Sequence, residues 1–168
     1  MTPAPRASRP RMPGYGLAPE SAGLLPWSWA VERLARSRNY WLATVREDGA
    51  PHCMPVWGVW QGDAFWFNTG TESRKTRNLD GCADCVVTTE SADEPVVVEG
   101  RAARCAAGPG LEPFFAAYEA KYATDLRSWP HPTFRVAPRV VFGFVEAAEA
   151  FASAATRWTF PSPEAGAP

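Results

Sequence analysis

Phe65-Trp66-Phe67-Asn68-Thr69-Gly70-Thr71-Glu72-Ser73-Arg74-Lys75-Thr76-Arg77-Asn78-Leu79 decides how this chain is read. A short aromatic strand runs into a glycine turn, and the turn opens a helix whose first turns hold three cations. Ser73 suits the N-cap, because its hydroxyl can accept a bond from an amide left unpaired one turn in. Gly81, just past Leu79, is the expected stop. Unpaired amides and the positive dipole end make such a helix start attractive to an anion. Arg74, Lys75 and Arg77 add full charges there, and guanidinium groups grip a phosphate with two parallel bonds. The segment predicts a phosphate clamp at the mouth of a β-barrel. The competing reading of the same cations is a solvated helix face that binds nothing.

Working outward, hairpin follows hairpin. Pro26 precedes Trp27, Ala30, Val31 and Leu34 at helical spacing, so a helix with one apolar face is expected there. Tyr40 to Arg46 reads as a strand, Glu47-Asp48-Gly49 as a hairpin turn, and His52 to Trp60 as the second strand. Gln61-Gly62-Asp63 turns the chain into Ala64 to Asn68. After the basic helix, Cys85 to Glu90 and Val96 to Ala106 read as strands, and Leu111 to Tyr122 as a helix. Strand returns at Phe134 to Val136 and at Arg139 to Glu146, with a last extended piece at Thr156 to Phe160. The absence of strand–helix–strand alternation argues for an antiparallel sheet or barrel, so the fold class is mainly β with peripheral helices. In the second strand both faces are apolar: Met54, Val56, Gly58 and Trp60 on one side, Cys53, Pro55, Trp57 and Val59 on the other. A helix, a second subunit or a flat cofactor must cover the outer one.

Composition bounds the function. The length fits one domain, and no apolar run approaches a membrane span. A formal net charge of -1 gives nucleic-acid binding no global electrostatic support. Residues 1–22 are rich in Pro, Arg and Gly and lack the apolar core of a signal peptide, so they read as a disordered arm. Residues 161–168 read as a disordered tail, leaving 23–160 as the folded domain and the cytoplasm as the default location. Eight tryptophans are many for this size, and wide aromatic surfaces suit a core, an interface or a flat ligand. Cys82-Ala83-Asp84-Cys85 has metal-like spacing but no second ligand pair, and the four cysteines read as buried thiols.

Taken together, these residues carry a resemblance. Tyr40-Trp41-Leu42-Ala43-Thr44-Val45, Asp48-Gly49, Pro51-His52, Pro55-Val56-Trp57, Phe67-Asn68-Thr69, the basic helix and Val97-Val98-Glu99-Gly100 are similar to the flavin-binding split-barrel superfamily, of pyridoxamine 5'-phosphate oxidase type. Lys75-Thr76-Arg77-Asn78-Leu79 and Glu99-Gly100 resemble the branch that uses the deazaflavin coenzyme F-420. The resemblance spans about Pro26 to Phe160. It implies an antiparallel six-stranded split barrel that forms a homodimer, with cofactor in the groove between subunits. It implies that Ser73, Arg74 and Lys75 hold the cofactor phosphate, that Met54, Pro55, Val56 and Trp57 back the ring system, and that Asn68 and Thr69 lie beside the ribityl chain or the phosphate. Arg77 and Asn78 would extend the site toward the acidic tail of F-420, and Arg157 and Trp158 would close the pocket from the other subunit. The segment Cys53 to Gly58 lacks the arginine and lysine that the oxidase carries on its phosphate-binding strand, so the cofactor class transfers better than the substrate.

No side-chain catalytic machine is visible. His52 and His131 lack a triad partner at a telling spacing, and no serine sits in a nucleophile elbow. That suits hydride chemistry, in which the cofactor reacts and the protein orients it, with solvent, Tyr118 or Tyr122 as proton source. Three readings follow: a reductase using F-420 on a small molecule, an FMN oxidoreductase, and a module that binds flavin or haem without turnover.

Overall fold

A computed structural model describes residues 4–19 and 21–161; the remainder, including most of the expected tail, lies outside the described residues. In chain order the elements are β1 (Arg6–Ser8), α1 (Trp27–Arg36), β2 (Tyr40–Val45), β3 (Pro51–Val56), β4 (Val59–Gln61), β5 (Ala64–Asn68) and α2 (Arg74–Gly81). They continue with β6 (Asp84–Thr89), β7 (Val96–Arg104), a 3-10 turn at Pro109–Leu111, α3 (Glu112–Tyr122), β8 (Thr133–Gly143), α4 (Ala148–Ala154) and β9 (Thr156–Thr159). Among the described residues no helix is long and apolar enough to cross a membrane.

Every strand pairing is antiparallel, in the order β1-β9-β8-β7-β6-β2-β3, with β4 and β5 branching off β8. The branch gives the fold its character. One edge of β8 pairs with β7 along its length, while the other pairs with β5 through Thr133–Val136 and with β9 through Val140–Gly143. Between those halves Arg139 is the extra residue of a bulge, since Glu99 faces Val140 but Gly100 faces Pro138. A Cβ at Gly100 would lie 2.5 Å from the Ala137 carbonyl oxygen, so only glycine fits opposite the bulge. The architecture is the expected antiparallel split barrel, with the sheet left open and, among the described residues, nine strands rather than six.

The core lies under the curved sheet. Tyr40, Leu42, Phe65, Phe67, Val87, Val98, Phe134, Val136 and Trp158 are buried against Ala30 and Leu34 of α1. A second cluster, Val59, Phe114, Tyr118, Tyr122 and Leu126, seats α3 on the barrel.

Three expectations need correction. The predicted second strand breaks at Trp57-Gly58 into β3 and β4. A Cβ at Gly58 would meet the Phe65 ring at 2.3 Å and the Trp66 carbonyl oxygen at 2.6 Å, so the backbone here is pressed onto the core and cannot run on as a strand. The predicted pair of strands around Pro138 is one bulged strand. Within the stretch expected to be disordered, Arg6–Ser8 pairs with Arg157–Thr159. Arg9 then donates to the carbonyl oxygens of Ala18 (3.1 Å), Ala22 (3.0 Å), Ser153 (2.6 Å) and Ala155 (2.8 Å). Main-chain pairing to the β9 edge orders an arm whose composition offers little apolar burial.

Candidate functional site

The turn between β5 and α2 is fixed from within. Ser73 caps α2 by accepting from the Thr76 amide at 3.2 Å, and its hydroxyl lies 3.2 Å from that of Thr69. The Thr76 hydroxyl donates to the Gly70 carbonyl at 2.8 Å. At the other end, the Asn78 amide group donates to the Thr44 hydroxyl at 2.9 Å and ties the helix to β2. The segment before β8 hangs on the same turn: Asn68 donates to the His131 carbonyl at 2.9 Å, and the Thr69 amide to that of Pro132 at 3.2 Å. The first turn of α2 is thus a rigid rim.

Cations gather on that rim without counter-charges. Arg74 and Arg77 are exposed and Lys75 half-buried, and among the described residues none of the three side chains forms a salt bridge or hydrogen bond. Arg46, at the end of β2, is likewise unpaired. Elsewhere the arginines find carboxylates: Arg33 with Glu94, Arg104 with Asp80, Arg127 with Glu112 and Glu119, and Arg139 with Asp84. Clustered like charges repel one another, and a bound anion offsets that cost. Partial desolvation, then the charges of Arg46, Lys75 and Arg74, hold the His52 imidazole below its ordinary range.

A flat aromatic plate stands at the break between β3 and β4. Trp57 stacks on Tyr122 with ring centroids 4.8 Å apart and planes 5° apart, and its indole nitrogen donates to Asn39 at 3.1 Å. Its other side contributes to an exposure of 44%. The end of α3 fixes this plate: Lys121 donates to the Gly58 carbonyl at 3.0 Å and to the Tyr40 hydroxyl at 2.8 Å. The Tyr122 hydroxyl accepts from the Gly58 amide at 3.0 Å. Burial lowers Lys121 to about 8, although Glu90 acts in the opposite sense. Neither Lys121 nor Arg46 was singled out by spacing. Their roles arise only when α3 and the β2–β3 hairpin fold against the rest.

The expected site residues divide accordingly. Ser73, Arg74, Lys75, Arg77, Asn68 and Thr69 share the rim, while Met54, Pro55 and Trp57 are exposed along the neighbouring edge strand. Val56, Asn78 and Trp158 face inward. Val56 is a core side chain, and Asn78 is 5% exposed with its amide spent on Thr44. Trp158 is fully buried, packed 5.5 Å from Trp27, and cannot reach into another subunit. Arg157, its neighbour, is half-buried and donates to Thr159 at 2.9 Å. Cys85 is buried and its thiol pushed up to about 12, which leaves it inert at neutral pH.

The outer face of the sheet mixes apolar and charged side chains. Across it, register places Arg157, Phe142, Val97, Thr88, Trp41 and Pro55 in one row. Trp41 is 45% exposed. An open cavity of about 370 Å³ beside the row is lined by Ala43, Val45, Val86, Glu99 and Arg139 among others.

The open antiparallel architecture carries a capped basic helix tied to Thr44 of β2 and, past the Tyr40–Val56 end of the β2–β3 pair, an exposed aromatic plate. The family model described as "Pyridoxamine 5'-phosphate oxidase" matches residues 30–152, and the chain belongs to that family. Its fold is similar to the solved structure of conserved hypothetical protein Rv2991 from Mycobacterium tuberculosis, with TM-score 0.67, 19% identity, and 85% of this chain and 93% of that chain covered. It is also similar to a structure named F420 Reductase, with TM-score 0.54, 22% identity, and 74% and 98% covered. A heme binding protein from Mycobacterium smegmatis is a third, with TM-score 0.61, 19% identity, and 77% and 62% covered. At these identities the likeness concerns the fold. No curated protein matches the sequence.

Proposed function

We propose that the protein is an oxidoreductase that binds coenzyme F-420 by its phosphate and transfers a hydride between that coenzyme and a small organic molecule. The observation that carries this reading is the group of unpaired cations at the capped start of α2. Arg74 and Lys75 would take the phosphate together with the Ser73 and Thr69 hydroxyls. Arg77, exposed one turn on, is available to the acidic tail that distinguishes F-420. Trp57, held flat by Tyr122, supplies an apolar wall for a ring system, with Met54 beside it on the edge strand. When bound, a deazaflavin carries hydride pairs and not single electrons, which makes the activity a reductase rather than an oxidase. The protein's own part is to fix the ring, keep water from one side of it and shape the substrate pocket.

The site faces a subunit groove in this reading. A second copy covers the outer sheet face, where Trp41, Val45, Val97 and Phe142 are apolar and where Asp84 and Glu99 lie beside Arg101 and Arg139. Under two-fold symmetry such a mixed patch meets itself with opposite charges in reach. FMN is the second reading, because it presents a phosphate to the same rim.

Fluorescence titration of the purified protein, separately with F-420 and FMN, tests the proposal. Binding of F-420 with weak or no binding of FMN supports it, and the reverse outcome moves the protein to flavin chemistry. If neither binds, the cations of α2 are a solvated face; a Soret band on adding haem would instead point to a haem-binding module.

A further inference from the structure

The rim does not end at α2. Asn78, bonded to Thr44, defines the face of α2 that meets β2, and Arg74 and Lys75 lie one turn earlier on that face. Thr44 pairs across the hairpin with His52, and its hydroxyl lies 3.4 Å from the His52 carbonyl oxygen. Arg46 follows two residues beyond Thr44. The hairpin therefore brings His52 and a further unpaired cation to the side of the helix that carries the clamp. His52 as a residue is half-buried, yet its Nδ1 is sealed from solvent and has no hydrogen-bond partner. A ring nitrogen in that condition is a cost carried by the free protein.

We propose that His52 is a proton-linked member of the anion site: neutral while the site is open, it takes one proton from solvent when a phosphate group settles among Arg46, Arg74 and Lys75. Partial desolvation first, then the charges of Arg46 from the hairpin and of Lys75 and Arg74 from α2, all of one sign, favour the neutral ring in the free protein. An anion among them cancels that field, so the imidazolium becomes favourable and adds a positive charge opposite the phosphate. Ligand binding and proton binding then strengthen each other by the same factor. The inference rests on the phosphate site proposed above.

The experiment compares the wild type with His52→Gln, which keeps an amide of similar reach that cannot titrate. Affinity for F-420, and for FMN as a second probe, is measured from pH 5.5 to 8. For the wild type the expected gain beyond that of the variant is roughly threefold, and at most tenfold, per unit fall in pH. Subtracting the variant's profile removes titration of the ligand itself. The imidazole is followed directly by NMR; the chain has two histidines, so loss of one signal in the variant assigns it. Ligand should move the His52 titration upward. Parallel pH profiles in the two proteins, or a His52 titration that ligand leaves in place, overturn the inference while the phosphate site stands. A wild type that binds neither probe at any pH overturns both.

Discussion

Lys75 is the residue on which the clamp can be tested most cleanly, because among the described residues it has no partner to lose. An unpaired cation at the surface contributes roughly 0.5 kcal/mol or less to stability, whereas one charge-assisted bond to phosphate contributes roughly 1.5–3 kcal/mol to binding. Lys75→Ala should therefore weaken F-420 roughly tenfold to a hundredfold with an unchanged melting curve; unchanged affinity would count directly against the clamp. Lys121 makes a different prediction. Its folded titration lies at about 8, below the ordinary lysine value near 10.5. Between those values the unfolded chain holds a proton that the folded chain has released, so stability rises with pH across that window. Above about pH 10 the tyrosines reverse the trend, since burial raises Tyr40, Tyr118 and Tyr122 and the folded state keeps their protons. The urea midpoint of the wild type minus that of Lys121→Met should rise from pH 8 to 10, the subtraction removing the opposite trend from Cys85, whose thiol burial raises. The Ser73 cap and the cations were legible because their chemistry is local. Asn78 and Trp158 were not, since nothing in their immediate sequence says which neighbour turns them inward.

Elements were readable where a single periodicity governs them and not where two surfaces compete. The helix from Trp27 and the strand from Tyr40 form as their spacing says. The stretch from His52 to Trp60 does not run as one strand. Its alternation is interrupted at Gly58, where the amide and carbonyl leave the ladder to bond Tyr122 and Lys121. Gly58→Ala would drive a methyl group into the Phe65 ring and the Trp66 carbonyl. A loss of about 2 kcal/mol or more is expected in denaturant unfolding. Because the same residue holds Trp57 on Tyr122, ligand affinity should fall with stability in that variant; full stability would show that the backbone can yield here. The helix at Ala148–Ala154 escaped notice for a plain reason. It has no capping side chain and no apolar stripe, only alanine-rich sequence between two strands.

For the whole molecule, the large unanswered surface is the outer face of the sheet. Burying a tryptophan stabilises an interface by roughly 1.5–3 kcal/mol, and a carboxylate in its place opposes the contact. Trp41→Glu should convert a dimer into monomers by analytical ultracentrifugation and weaken F-420 binding, while far-UV dichroism stays unchanged. A wild type already monomeric at micromolar concentration would remove the intersubunit groove from the proposed function. The antiparallel class and the place of the basic helix after β5 were legible along the chain, since both follow from consecutive hairpins. The split of β8 between two partners was not, because it joins segments far apart in sequence.

The pairing of β1 with β9 sets Arg6 against Thr159. During synthesis β1 emerges well before its partner β9 and must wait for it, and sequence-distant pairs of this kind form slowly. Hairpins from β2 to β7 can assemble while translation continues, but the β9 edge exists only once Thr156–Thr159 have emerged. Until then the arm has no place in the sheet, so a stalled or truncated nascent chain would present an open β8 edge to chaperones and proteases. In that order of synthesis, β1 can fasten to the sheet only after the hairpins of its middle have had time to form.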